Sequence, residues 1–157
     1  MGTRKAIMML AGLMVVGAVL VAGVLLVTWP LINVVETGKT AEYPGIQPRR
    51  YGESPDVVYD AARHAVQRLP RWTLASYDPK RRAIRAEAST RIFRFVDDVL
   101  IRVVTDEGRT VVHVRSASRV GRGDFGQNAR NIRAFFGELD AQVRRAVRQH
   151  GAASPLS

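Results

Sequence analysis

Hydrophobic and polar positions follow three different patterns along this chain. From Ala6 to Thr28, 23 residues pass without one ionisable side chain. As a helix that run would be roughly 34 Å long, slightly more than the hydrocarbon core of a bilayer. Trp29 follows, an indole suited to the far interface, and Pro30 ends the helix. A cleaved signal peptide would have an apolar core of only about 7–15 residues closing on a small-x-small site, whereas this run continues through Leu25, Leu26 and Val27. The pattern predicts an uncleaved single-pass anchor, with residues 1–32 forming the anchor and its short cytoplasmic N-terminus, and lipid contacted through residues 6–29.

Residues 33–53 contain few apolar positions and carry Pro44, Gly45, Pro48 and Gly52, which predicts an extended linker holding a domain off the bilayer, with Tyr43 and Tyr51 available to pack it. Ser54-Pro55-Asp56 is a helix start: the serine caps, the proline gives up no bond, and the aspartate suits the dipole. Val58, Ala61, Ala62, Ala65 and Leu69 then recur at helical spacing as far as Pro70. From Trp72 the period becomes two. Segments 72–77 and 82–89 flank the Asp78-Pro79-Lys80-Arg81 turn, and 99–105 and 110–118 flank Asp106-Glu107-Gly108-Arg109, which predicts two hairpins. Pairing Thr105 with Thr110 puts Val99, Ile101, Val103, Val112, Val114 and Ser116 on one face, with Arg102, His113 and Arg115 on the other. Ile84, Ala86 and Ala88 join the apolar face and leave Arg85 and Glu87 outside. Gly121, Gly123 and Gly126 precede a long amphipathic helix over 127–149 whose stripe is Ile132, Phe135, Phe136, Leu139, Val143 and Val147. The expected fold is α+β in the order αββββα: a two-layer domain over 54–150, two helices on one face of a four-stranded antiparallel sheet, and a disordered tail over 151–157.

Charge gives the domain a direction. Setting Arg4 and Lys5 aside from the 24 basic residues leaves 22 against 14 acidic ones, a net +8 beyond the anchor. Such a surface attracts polyanions, the nearest to a tethered domain being phospholipid headgroups. Arg4 and Lys5 precede the run while Lys39 follows it, so the positive-inside rule puts the N-terminus in the cytoplasm and the domain outside it, at a bacterial inner membrane. Nucleic acid would require the opposite orientation. With no cysteine in the chain, disulfides, thiolate ligands, thiol catalysis and lipoprotein acylation are all excluded.

The patterns of catalysis are missing from the sequence. It has no nucleophile elbow, no phosphate-binding glycine-lysine loop, no His-Glu-x-x-His and no closely spaced histidine pair, so no catalytic, metal or cofactor site is expected. His64, His113 and His150 are scattered over a helix, a strand and a helix end. Asp97 and Asp98 are the one conspicuous carboxylate pair, but neighbours on a strand point to opposite faces, and one of them is expected to pair with Arg115 or Arg119. The alternative is a hydrolase using Asp97 or Asp98 beside Arg115. The richest segment is RSASRVGRGDFGQNARNIR at Arg115–Arg133. A glycine-rich loop opening a helix offers backbone N–H groups at the positive end of the dipole, and Arg119, Arg122 and Arg130 could converge there on an anion. Asp124 could instead cap the helix and lock the corner, neutralised by Arg122.

FRFVDDVLIRV at Phe93–Val103 and VHVRSASRVGRGDFGQNARNIRAFF at Val112–Phe136 resemble the signature of the domain of unknown function 1499 family of bacterial and plastid proteins. With Tyr43-Pro44, the resemblance spans about Tyr43 to Val143. It implies a compact α+β domain, often tethered or exported, with no known cofactor or activity. The expectation is a non-enzymatic extracytoplasmic binding or scaffolding module. Arg115, Arg119, Arg122, Asn128 and Arg130 form its hypothetical anion site, and Asp97, Asp98, Ser116, Ser118 and Asp124 a structural polar cluster. Its partner would be an anionic lipid or an envelope protein. A further alternative is an accessory subunit of a membrane complex docking through Leu100, Val104 and Val111.

Overall fold

A computed structural model of the chain describes residues 3–28, 32–90, 94–120 and 126–152. It divides into two units at Leu31 and Ile32. The first is the helix α1, Thr3–Thr28. Its side chains over Ile7–Val24 are apolar and exposed on every side, so this one helix is long and apolar enough to cross a membrane.

The second unit is a mixed α/β domain with more strands than the pattern predicted. It runs β1 (Val34–Glu36), β2 (Arg49–Tyr51), α2 (Pro55–Arg68), β3 (Trp72–Asp78), β4 (Ala83–Ser89), β5 (Val96–Asp106), β6 (Arg109–Ser118) and α3 (Gln127–Ala152). The sheet has six strands, not four, and is antiparallel throughout in the order β1-β6-β5-β4-β3, with β2 also on β6. The two additional strands come from the segment expected to be a linker. Each has three residues, too few for a period of two to show, and each is held by the exposed edge of β6. Between their pairings, Thr37 continues the ladder: its N–H donates to the Val114 carbonyl at 3.0 Å and its hydroxyl accepts from the Val114 N–H at 3.1 Å.

The second hairpin has the predicted register, with Thr105 opposite Thr110, and its core face is the predicted one. Glu107 and Gly108 both have positive φ, 48° and 75°, so two residues close this turn in the left-handed manner that matches strand twist. In β3 the register shifts between Leu74 and Ser76. That extra residue keeps Trp72, Leu74 and Tyr77 on the helix side, where Trp72 stacks on Phe135 at 6.2 Å.

Both helices cover this one face. Ser54 caps α2 by accepting from the Val57 N–H, and Val58, Ala61, Ala62, Ala65 and Val66 are buried. The small alanines let α2 lie close to its neighbours. From α3, Ile132, Phe135, Phe136, Leu139 and Val143 enter the core, while Val147 remains 47% exposed because the helix has run past the end of the sheet. Helix α3 also continues through Gly151 and Ala152, expected to begin the tail. Arg49 and Tyr51 tie β2 to this helix: Tyr51 donates to Asp140 at 2.8 Å, and Arg49 bonds the same carboxylate while lying 4.6 Å above the Phe136 ring. Burial and the Asp140 hydrogen bond both hold the Tyr51 phenol protonated, raising its pKa well above the ordinary value.

Candidate functional site

Because side chains alternate along a strand, the dense polar motif is split between two sides of the sheet. Asp97, at 2% exposure, faces the helices. Its carboxylate accepts from the Ser118 hydroxyl at 2.7 Å and the Asn131 amide at 2.8 Å. Ser116 donates to Asn128 at 2.6 Å and accepts from Asn131 at 3.2 Å. Asn128 in turn donates to the Asn33 carbonyl at 2.9 Å and to Ser118 at 3.0 Å. This network stitches β5, β6, α3 and the residue that leads into β1 together in the interior. Asn131 belongs to it although no motif marked it, and only the helical spacing from Asn128 could have suggested it.

Asp98 lies on the opposite face. Arg119 reaches it with Nε at 3.0 Å and Nη2 at 2.6 Å, and also bonds Glu87. The Arg119 hydrogen bond holds the Asp98 carboxyl below the usual range, and the same contacts, Asp98 first, raise the Arg119 pKa. Asp97 and Asp98 therefore share no cleft.

Of the expected anion site, the described residues Arg115, Arg119, Asn128 and Arg130 do not converge. Asn128 is fully buried with its amide committed; Arg119 and Arg115 project from the helix-free face; Arg130, on α3, is exposed and donates to Gln127 at 2.9 Å. Arg122 and Asp124 lie outside the described residues. Nor do Leu100, Val104 and Val111 make one open apolar patch. Val111 is buried at 3%, and the other two emerge among charges.

The chemistry exposed by the fold lies on that helix-free face. One cross-strand row there reads Ser76, Arg85, Leu100, Arg115 and Glu36, and the next reads Asp78, Ala83, Arg102 and His113. From strand spacings, Arg85 and Arg115 flank Leu100 at about 10 Å from each other, and Arg102 is diagonal to both at roughly 7–8 Å. The acidic groups nearby are already engaged: Glu36 by Lys39 at 2.7 Å, Asp78 by Arg81 at 3.9 Å, Asp106 by Arg50 at 2.9 Å, and Glu87 and Asp98 by Arg119. Arg85, Arg102 and Arg115 have no ion pair of their own among the described residues. They border two shallow grooves of about 440 and 450 Å³ that meet at Leu100 and Arg102. A rigid sheet carrying three open guanidinium groups can bind an anion. Sequence alternation had set these residues outside; what it could not show is that every neighbouring carboxylate has another partner.

The family described as "Protein of unknown function (DUF1499)" matches residues 29–139. No curated protein matches the chain. Among solved structures, the crystal structure of TTHA0849 from Thermus thermophilus is similar at a TM-score of 0.40 and 12% identity, covering 72% of this chain and 98% of that one.

Proposed function

This chain belongs to the DUF1499 family of proteins of unknown function, and from that premise we propose that it is a membrane-anchored binding module whose helix-free sheet face recognises an anionic group. The observation that carries the reading is the triangle of Arg85, Arg102 and Arg115 around Leu100, none of which makes a direct ion pair among the described residues. It moves the recognition surface away from the glycine-rich loop and onto the sheet. Supporting it over a hydrolytic reading is the geometry of Asp97 and Asp98, which open onto opposite faces, one inside a hydrogen-bond network and the other bridged to Arg119. The domain acts without catalysis, as a scaffold or receptor. Its helix α1 crosses a bacterial inner membrane once with Arg4 and Lys5 on the cytoplasmic side, so the domain is extracytoplasmic and meets no nucleic acid. Alkaline phosphatase fused after His150 is active under this topology; an inactive fusion beside an active cytoplasmic reporter at the same site refutes it.

The binding test uses the full chain in zwitterionic nanodiscs with inorganic polyphosphate as the probe. Exposed charge contacts contribute about 0.5–1 kcal/mol each. The Arg85→Gln/Arg102→Gln/Arg115→Gln variant should therefore bind roughly ten- to a hundredfold more weakly, with a reduced dependence on salt. Unchanged affinity in a folded triple variant removes the proposal.

A further inference from the structure

The chain enters the domain at one particular end of the sheet. Residues 29–32 are all that separate the last residue of α1 from Asn33, whose carbonyl accepts from the Ser118 N–H at 2.8 Å. Fully extended, that connection spans at most roughly 17 Å. If α1 crosses a bilayer, the sheet end containing Asn33 and Ser118 is therefore kept within that reach of the lipid surface.

That same end presents apolar side chains to solvent. Outside α1, Val120 is the most open large apolar residue among the described residues at 65%, and Phe95 is open at 51%. The ladder between β5 and β6 closes with the Arg119 N–H donating to the Val96 carbonyl at 3.2 Å, which leaves Phe95 and Val120 as the next pair in register. Phe95 is not a loose side chain on a loose backbone. Its carbonyl accepts from the Thr90 N–H at 2.8 Å and its N–H donates to the Thr90 hydroxyl at 2.9 Å. Arg94, beside it, is exposed and carries positive charge at the same end. An exposed aromatic, an exposed aliphatic and a cation together are what the boundary between headgroups and acyl chains accepts: ring and methyls below, guanidinium at the phosphates.

We infer that the Phe95–Val120 end of the sheet is a membrane-contact site that rests in the headgroup region of the bilayer crossed by α1. The inference rests on the single-pass anchor of the proposed function but not on its arginine face. The occupant is lipid, because the covalent connection brings lipid to this end before any other partner. Docking there by hydrophobic contact gives the domain a fixed orientation, with the β5–β6 turn at Glu107 at the far end.

The chain contains no cysteine, so Val120→Cys and Glu107→Cys each carry a single environment-sensitive fluorophore. In full-chain protein reconstituted into zwitterionic nanodiscs, lipid carrying a shallow nitroxide should quench the label at 120 several-fold more than the label at 107. Adding Phe95→Asp to the Val120→Cys protein should return emission and quenching to solvent-like values, whereas Phe95→Leu should retain contact; near-UV circular dichroism confirms that both remain folded. Equal quenching at 120 and 107, or quenching at 120 indifferent to Phe95→Asp, overturns the inference. Alkaline carbonate extraction separates the two failures. A chain released from membranes refutes the anchor itself, while a retained chain with equal quenching refutes only the contact site.

Discussion

Replacing Asp97 tests whether the interior half of the motif exists to hold the fold. The carboxylate is almost fully buried and accepts from the Ser118 hydroxyl at 2.7 Å and the Asn131 amide at 2.8 Å. Asp97→Ala leaves both donors inside the domain without that acceptor, at about 1–3 kcal/mol for each. Removing a buried charge returns part of this loss, because the carboxylate itself was desolvated. The net expectation is a destabilisation of about 3 kcal/mol, which for a domain of this size lowers Tm by roughly 12 °C. Asp97→Asn keeps an acceptor for Asn131 and cannot serve both donors, so it should cost about 1 kcal/mol. Asp98→Ala, one residue away on the solvent side, should cost less than about 1 kcal/mol. Thermal melts of the full chain in detergent, followed by near-UV circular dichroism of the packed Trp72, give the three values. The reasoning fails if Asp97→Ala and Asp98→Ala melt together, or if Asp97→Ala keeps its Tm and loses anion binding instead.

Four further outcomes follow from other parts of the domain. The Asp98 carboxyl titrates below its ordinary range because of Arg119, so its contribution is present above the unfolded-state pKa and is lost as pH falls through the lower folded one. Carbon NMR should show Arg119→Ala raising the Asp98 pKa, and Asp98→Asn should remove less than about 1 kcal/mol of the stability present above about pH 4, and with it that part of the loss on acidification. The Tyr59 hydroxyl is buried without a hydrogen-bond partner among the described residues, so Tyr59→Phe should leave Tm unchanged or raise stability by about 1 kcal/mol in the same melts; a clear loss would mean that the hydroxyl has a partner. Glu107 holds φ 48° in a two-residue turn, and Glu107→Asn should stabilise by about 0.5 kcal/mol, since asparagine tolerates that region better. Finally, the Arg85→Gln/Arg102→Gln/Arg115→Gln protein should keep its Tm within about 2 °C while losing polyphosphate affinity, because exposed surface side chains contribute little to folding.

Sequence periodicity was most informative where elements are long and one of their faces is buried. A slip of one residue in β5 against β6 would turn Ile101 and Val103 to solvent, so the register followed from side-chain chemistry alone. Strands of three residues carry no such information. β1 and β2 exist because β6 has an edge to cover and because Arg49 and Tyr51 reach Asp140, a residue 89 positions from Tyr51. The polar cluster was legible in outline, since alternation separated Asp97 from Asp98. It was not legible that Asn128 belongs with Ser116 and Ser118 inside, because a buried amide looks the same in sequence as a ligand-binding one until its partners are known. Proximity along the chain suggested a convergence of Arg119 with Arg130 that the β6-to-α3 crossing does not produce: one is on the open face, the other on a helix covering the opposite one.

This alternation also explains how one short motif can serve stability and recognition without conflict. On β5 the side chains at 97, 99, 101 and 103 are buried at 2% exposure or less, while Asp98, Arg102 and Val104 are exposed and Leu100 is half-buried. The two sets share a backbone and almost no contacts, so their energetic contributions should add. Substitutions at odd positions should therefore move Tm and leave anion affinity per folded molecule alone, and those at even positions should do the reverse. A double variant pairing Asp97→Asn with Arg102→Gln is the sharpest expression of this. Its Tm should match Asp97→Asn and its affinity Arg102→Gln, because the sheet between them transmits neither charge neutralisation nor a missing hydrogen bond to its other side.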